Sequence, residues 1–260
     1  MSWLELCRAA RDDVARVLEE LPTRAEREPV VGEGEGGDET TAIDAAAERV
    51  IVARFRDLDA RIVSEEVGEL GDGRWTIVID PIDGSLNAKR GIPFFSISIA
   101  VADGGTMDDV VFGYVFDFGK REEWTATRAE GAQLNGERLT ERPKDTLEIV
   151  SYEATTTAYV AEGAAGFAGV AHRLRVMGSL AITLCHLAAG RLDGVVSLKN
   201  ARSVDIAAAQ LLVRERGLVI DLPDDPPFGS APLDLVPRSR VAAAGNEENC
   251  ALLARALPSR

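Results

Sequence analysis

Two carboxylates separated by a proline close an apolar run in Trp75-Thr-Ile-Val-Ile-Asp80-Pro-Ile-Asp83-Gly84-Ser85-Leu-Asn87. The fixed φ of Pro81 removes slack from the turn, so Asp80 and Asp83 can point into one small volume. Hard divalent cations take several oxygen ligands of this kind, and the backbone carbonyl of Ile82 can supply another. Gly84 and Ser85 follow, where free backbone N–H groups at a helix or turn start can receive phosphate oxygens. The competing reading is a strand-to-turn junction with two capping aspartates, because Asp, Pro and Gly are also ordinary turn residues. On this segment alone the two readings are balanced.

Three further segments offer acids in comparable places. In Arg61-Ile-Val-Ser-Glu65-Glu66-Val an apolar strand ends in adjacent acids, which stay together only with solvent or a cation nearby. A solvated strand end is the plainer account. Asp205, in Arg202-Ser-Val-Asp205-Ile-Ala-Ala-Ala, begins an apolar helix and would make a good N-cap. From a strand-to-helix turn its side chain could also reach a bound metal. In Gly37-Asp38-Glu-Thr-Thr41-Ala-Ile-Asp44-Ala-Ala-Ala-Glu48, Thr41 reads as a cap, and Asp44, one turn into the helix, could hold a water.

The elements that must position these acids follow from periodicity. Leu4, Cys7, Val14, Val17, Leu18 and Leu21 form a helical face over residues 3–21, and Ile43, Ala47, Val50, Ile51 and Phe55 another over 41–57. A Gly-rich acidic connector, Val31–Asp38, lies between them. Short β-like runs follow at 61–63, 75–79, 94–102, 110–116 and 123–127, and Asn135-Gly136 predicts a tight turn between strands. The polar stretch 139–146 reads as a boundary. Beyond it, strands at 147–152, 174–177, 194–198, 218–222 and 240–244 alternate with helices at 156–167, 179–190, 204–216 and 246–257. This order predicts a mixed α/β architecture with two sheets. It divides the chain into an N-terminal α+β subdomain (1–140) carrying most candidate ligands and a C-terminal α/β subdomain (141–260) carrying Asp205.

Composition restricts the partners. With 43 acidic residues against 29 basic ones, the net charge of −14 opposes nucleic acid and anionic membrane surfaces. It also opposes a phosphorylated substrate unless a cation occupies the site. No apolar run reaches the roughly 18 residues that a membrane helix requires, and the N-terminal residues show no signal-peptide pattern. Cys7, Cys185 and Cys250 lack metal-ligand spacing and favour a reducing cytoplasm. Only Lys89, Lys120, Lys144 and Lys199 are lysines. GC-rich coding and adaptation to a salty cytoplasm both account for that, and both readings stand.

Taken together and in order, these segments resemble the inositol monophosphatase / fructose-bisphosphatase superfamily. The resemblance rests on the runs at 37–48 and 64–66, Asp80-Pro-Ile-Asp-Gly-Ser85, Gly91-Ile-Pro-Phe-Phe-Ser96, Gly178-Ser179 with Leu184–Gly194, and Val204-Asp205-Ile-Ala-Ala. It covers about residues 30–245 and is most like archaeal dual-specificity members, many of which act on both inositol phosphate and fructose bisphosphate. It implies a layered α/β/α/β/α sandwich and a homodimer. Two or three Mg²⁺ ions would be held by Glu65, Asp80, Asp83, Asp205 and the Ile82 carbonyl, with Asp38 a further possible ligand. Asp83, Gly84 and Ser85 would hold the phosphate, and Gly178, Ser179, Lys199 and Arg202 would belong to the substrate side. A metal-activated water, oriented by Ser85 and Asp44, would attack phosphorus in line without a phosphoenzyme. Val204 stands where the family commonly has Trp, and Glu215-Arg-Gly-Leu replaces its Glu-Ala-Gly-Gly. Both departures bear on substrate choice. The pair Lys199 and Arg202 suits a bisphosphate, although surface charges on a turn account for it equally well.

Three rivals remain. Cys185-His-Leu-Ala-Ala-Gly-Arg191 has the spacing of a cysteine phosphatase, but it continues a helical pattern that makes Cys185 a small core residue. A 3′-phosphoadenosine 5′-phosphate phosphatase would recognise a purine, for which an aromatic content of 5% offers few contacts. A non-catalytic phosphosugar-binding homologue would usually lack one of the four acids or the Ser85 hydroxyl, and all are present.

Overall fold

In the computed structural model of the protein, which describes residues 2–35, 39–153, 156–225 and 227–259, the apolar runs become strands buried on both sides. Helix α1 (Trp3–Glu20) and the short α2 (Arg24–Arg27) lead into a hairpin of β1 (Val30–Glu33) and β2 (Glu39–Thr41), then α3 (Ala42–Phe55). Strands β3 (Ala60–Ser64), β4 (Gly68–Leu70) and β5 (Trp75–Asp83) precede a six-residue helix, α4 (Ser85–Arg90). Four strands follow: β6 (Ser96–Ala102), β7 (Val110–Asp117), β8 (Glu122–Thr127) and β9 (Gly131–Leu134). The Asn135-Gly136 turn joins β9 to β10 (Glu137–Arg138), as the dipeptide predicts.

The remainder alternates. It comprises β11 (Ile149–Glu153), α5 (Thr157–Gly163), β12 (Arg173–Arg175), α6 (Leu180–Ala188), β13 (Gly194–Ser197) and α7 (Ser203–Glu215), then β14 (Val219–Asp221), β15 (Ala242–Ala244) and α8 (Glu247–Ala256). Eight strands form one sheet in the order β10-β9-β8-β7-β6-β5-β3-β4, and five form a second in the order β12-β11-β13-β15-β14.

Side-chain alternation explains the layering. Ile77, Ile79, Ile97 and Ile99 face α1 and α3, where Val14, Ile43, Ile51 and Phe55 complete a core. Val78, Ala100, Val115 and Trp124 face the other way and meet α6 and α7. Those helices also cover Val195, Ile220 and Ala243 of the five-stranded sheet, whose far face packs Val150, Tyr152 and Val196 against Cys250 and Leu253 of α8. The result is the α/β/α/β/α sandwich expected from the resemblance. Helix α7 lies between the two sheets, and the small buried Ala207, Ala208 and Ala209 around its axis let it pack close. The close approach also requires Gly113 on β7, where a Cβ would come within 2.5 Å of the Ala208 carbonyl oxygen.

Periodicity misplaced some boundaries. Strand β5 continues through Pro81 to Asp83 by way of an irregularity in its pairing with β6. Strand β1 takes up the first residues of the Gly-rich connector and pairs with β2 just beyond it. Helices α2 and α4 are too short to carry a periodic signal. Among the described residues, no helix is long and apolar enough to cross a membrane.

Candidate active site

Parallel pairing of β3 with β5 brings the first acids together. Ser64 lies opposite Ile79 in the last pair of this ladder, so Glu65, just beyond β3, comes level with Asp80 on β5. The Asp80 carboxylate accepts the Ile82 N–H at 3.0 Å, which shapes the turn through Pro81. The Asp83 carboxylate is held from α6, accepting the Ser179 hydroxyl and the Ala181 N–H, the latter at 2.8 Å. Ser179 is the N-cap of α6, so one side chain both starts that helix and fixes an acid from the other sheet. Gly84 has φ of +86°, and a Cβ there would meet the Gly178 carbonyl oxygen at 2.9 Å, so only glycine fits between the two loops.

Asp205 sits differently from the N-cap its sequence suggested. Arg202 occupies the cap position of α7, and Asp205 lies in the first turn with its carboxylate accepting the Arg202 N–H at 2.6 Å. The Arg202 guanidinium then turns onto the acids, 2.5 Å from Glu65 and 3.2 Å from Asp205.

These residues line one cleft of about 450 Å³. Of the residues anticipated from sequence, Glu65, Asp80, Ile82, Asp83, Gly84, Ser85, Gly178, Ser179, Lys199, Arg202 and Asp205 all line it. Asp44 does not. Its carboxylate accepts the Thr41 hydroxyl and lies 3.6 Å from Lys89 on α4. Asp38 falls outside the described residues.

The electrostatics are those of acids confined without enough positive charge. Burial, and then the charges of Glu65, Asp83 and Asp205, push the Asp80 carboxyl well above the usual range. Burial raises Glu65 to about 7 despite the opposing Arg202 charge, and raises Asp83 to about 7 despite its hydrogen bond from Ser179. Burial draws the Arg202 guanidinium down, but Asp205 and Glu65 outweigh it and keep the group charged. Several buried carboxylates around a single guanidinium form a strong attractor for further cations.

Sequence reasoning missed two carboxylates that hold this arrangement in place. Glu153, at the end of β11, lines the cleft and accepts the Met177 and Gly178 N–H groups at 3.2 and 2.8 Å. It thereby sets the loop before Ser179. Glu48, on α3, accepts the Ser64 hydroxyl at 2.5 Å and the Glu66 and Val67 N–H groups at 3.0 Å each. It clamps the turn that carries Glu65. The available signal for Glu153 was an apolar strand ending in an acid, as at Glu65 and Asp80. Glu48 stood inside the run used for the resemblance, but nothing in its spacing showed which loop it would reach.

Known proteins share this organisation. A family model described as the inositol monophosphatase family matches residues 3–260. A fructose-1,6-bisphosphatase/inositol-1-monophosphatase of Thermococcus kodakarensis is 37% identical over 193 residues, covering 73% of this chain and 72% of that protein. Nus factor SuhB of Escherichia coli is 38% identical over 200 residues, covering 70% and 71% of the two chains. The crystal structure of an inositol monophosphatase–fructose 1,6-bisphosphatase superposes with a TM-score of 0.87 at 26% identity, over 99% of this chain and all (100%) of that one. With the match running from α1 to the last residue and the layers of the fold in agreement, the chain belongs to the inositol monophosphatase family.

Proposed function

We propose that the protein is a Mg²⁺-dependent phosphoric monoester hydrolase acting on a small phosphorylated sugar or inositol. Fructose 1,6-bisphosphate and inositol 1-phosphate are the substrates to test first. The observation that carries this reading is the convergence of Glu65, Asp80, Asp83 and Asp205, from separate turns of the chain, on one cleft that also presents Gly84, Ser85 and Lys199.

The donor set fits Mg²⁺. It is made of hard carboxylate oxygens with the Ile82 carbonyl nearby, and its mutual repulsion calls for cations. Glu65, Asp80, Asp83, Asp205 and the Ile82 carbonyl would hold the metal, two or three ions in all. Mg²⁺ bound there would neutralise phosphate charge, lower the pKa of water and stabilise a leaving alkoxide. The chain's own groups supply orientation. The Ser85 hydroxyl and the Gly84 and Ser85 N–H groups would bind phosphate oxygens, and Ser85 would orient the attacking water without Asp44, which lies outside the cleft lining. Gly178 and Ser179 would close the substrate side. Lys199 would pair with a second phosphate, and Arg202 with the first once cations relieve its hold on Glu65 and Asp205. A homodimer in the cytoplasm completes the proposal.

The test is inorganic phosphate release from fructose 1,6-bisphosphate, inositol 1-phosphate and 3′-phosphoadenosine 5′-phosphate, with Mg²⁺ or EDTA and with Asp83→Asn. Mg²⁺-dependent release that the variant lacks supports the proposal, and the ratio of kcat/KM values names the substrate. Release from the nucleotide alone would replace the sugar reading. Absence of release from all three would favour a role carried by the surface, the second reading raised by the relative named as a Nus factor.

A further inference from the structure

A second group of polar side chains lies under α6, away from the cleft. Ser96, Asp117, Glu122 and Trp124 share one face of the large sheet. Ser96 stands opposite Asp117 between β6 and β7, Asp117 opposite Glu122 between β7 and β8, and Trp124 two residues further along β8. Helix α6 covers this face and presents His186, whose ring packs 5.9 Å from those of Trp124 and Phe94. One ligand atom from each of Asp117, Glu122 and His186 lies within 4.8 Å of the other two. Four buried polar atoms on this patch have no hydrogen-bond partner among the described residues: Ser96 Oγ, Asp117 Oδ2, Trp124 Nε1 and His186 Nε2. Asp117 is 0% exposed, and its other oxygen is already taken by the Gly119 and Lys120 N–H groups at 2.7 and 3.1 Å. Buried polar atoms are ordinarily paired, and a cluster left open on one spot implies something bound there.

We propose that Asp117, Glu122 and His186 form a second metal site, separate from the carboxylate cleft, that takes a divalent transition metal of the Zn²⁺ class.

The ligand types favour that class over Mg²⁺. An imidazole nitrogen with two carboxylate oxygens suits Zn²⁺ and its neighbours, whereas Mg²⁺ prefers an all-oxygen set such as the cleft's. A metal needs a neutral imidazole. Burial, followed by the charge of Arg191, lowers His186 to about 4, so the ring is neutral at physiological pH. Glu122 is bound bidentately by Arg191 at 2.6 and 2.9 Å and approached by Lys120 at 3.2 Å. A carboxylate has about four lone-pair sites, so this pairing leaves room for a metal. The Ser96 hydroxyl and Trp124 N–H complete the polar lining. Occupancy would tie the β7–β8 hairpin to α6, whose first turn fixes Asp83.

The two histidines make the test direct, because His172 is exposed and distant in sequence. Protein labelled with ¹⁵N in its histidines is titrated with Zn²⁺ at saturating Mg²⁺, which keeps the cleft filled. The expected result is a one-to-one shift of the His186 ring nitrogens, with affinity weakened in Asp117→Asn by more than the about 100-fold that loss of an outer partner can cost. If Asp117→Asn fails to fold by circular dichroism, Glu122→Gln carries the same comparison. The proposal is overturned if His186 stays unmoved at millimolar Zn²⁺, if only His172 responds, or if the folded variant binds as tightly as the wild type.

Discussion

Replacing Glu48 should weaken both the fold and its grip on metal, although Glu48 lies outside the cleft. The Glu48 carboxylate, 7% exposed, receives three hydrogen bonds from Ser64, Glu66 and Val67. Glu65 sits between these anchor points and reaches the cleft. At about 1 kcal/mol net per hydrogen bond, Glu48→Ala should cost about 3 kcal/mol. For a chain of this size that lowers Tm by about 6–12 °C. Glu48→Gln keeps an acceptor oxygen but loses charge assistance, so its cost should be about half as large. Outer partners of metal ligands typically contribute about 10–100-fold in affinity, and a comparable weakening of Mg²⁺ binding is expected for Glu48→Ala. Thermal melts in EDTA read the first effect, and calorimetric titration with Mg²⁺ on folded protein reads the second. If Tm falls while Mg²⁺ affinity stays within twofold of wild type, the turn is not what positions Glu65 and the reasoning fails.

Three other outcomes follow from the same geometry. Asp83 has a folded-state pKa raised to about 7, so it favours the folded protein below the unfolded value of 3.8 and loses that contribution as pH rises through 7. In EDTA, the urea midpoint of Asp83→Asn minus that of wild type should therefore increase between pH 5 and pH 7.5, and a difference that stays constant or decreases would contradict the burial argument. Arg202→Met removes the guanidinium that pairs with Glu65 and Asp205. Breaking a buried pair costs about 3–5 kcal/mol, so the Tm difference between EDTA and saturating Mg²⁺ should widen, and an unchanged difference would count against the cation-deficit account. Cys185 is fully buried, and burial and nearby acids push its thiol well above the ordinary value. Cys185→Ser should leave phosphate release unchanged, and an inactive but folded variant would revive a thiol mechanism.

From its residues the sequence by itself determined a mixed α/β order with two sheets, and through its family resemblance the layered sandwich and most of the residues that line the cleft. Ile77 and Ile79 on one face of β5 and Val78 on the other, with Ile97 and Ile99 on one face of β6 and Ala100 on the other, need cover on both sides, and α1 and α3 lie on one of them. Asp80-Pro-Ile-Asp83-Gly-Ser85 carries its turn in its own residue types, so the strand-end acids were legible before any contact was known. Tertiary structure alone decided which partners those acids would have. Parallel pairing of β3 with β5 set Glu65 beside Asp80, and α6 brought Ser179 to Asp83 across 96 residues of chain. Arg202 was read as a substrate-side cation, yet its reach onto Glu65 spans 137 residues. The supporting roles of Glu48 and Glu153, and the meeting of His186 with Asp117 and Glu122, depend on how helices settle on sheets. Local periodicity encodes which face of an element is apolar, but not which distant polar atom that face will cover.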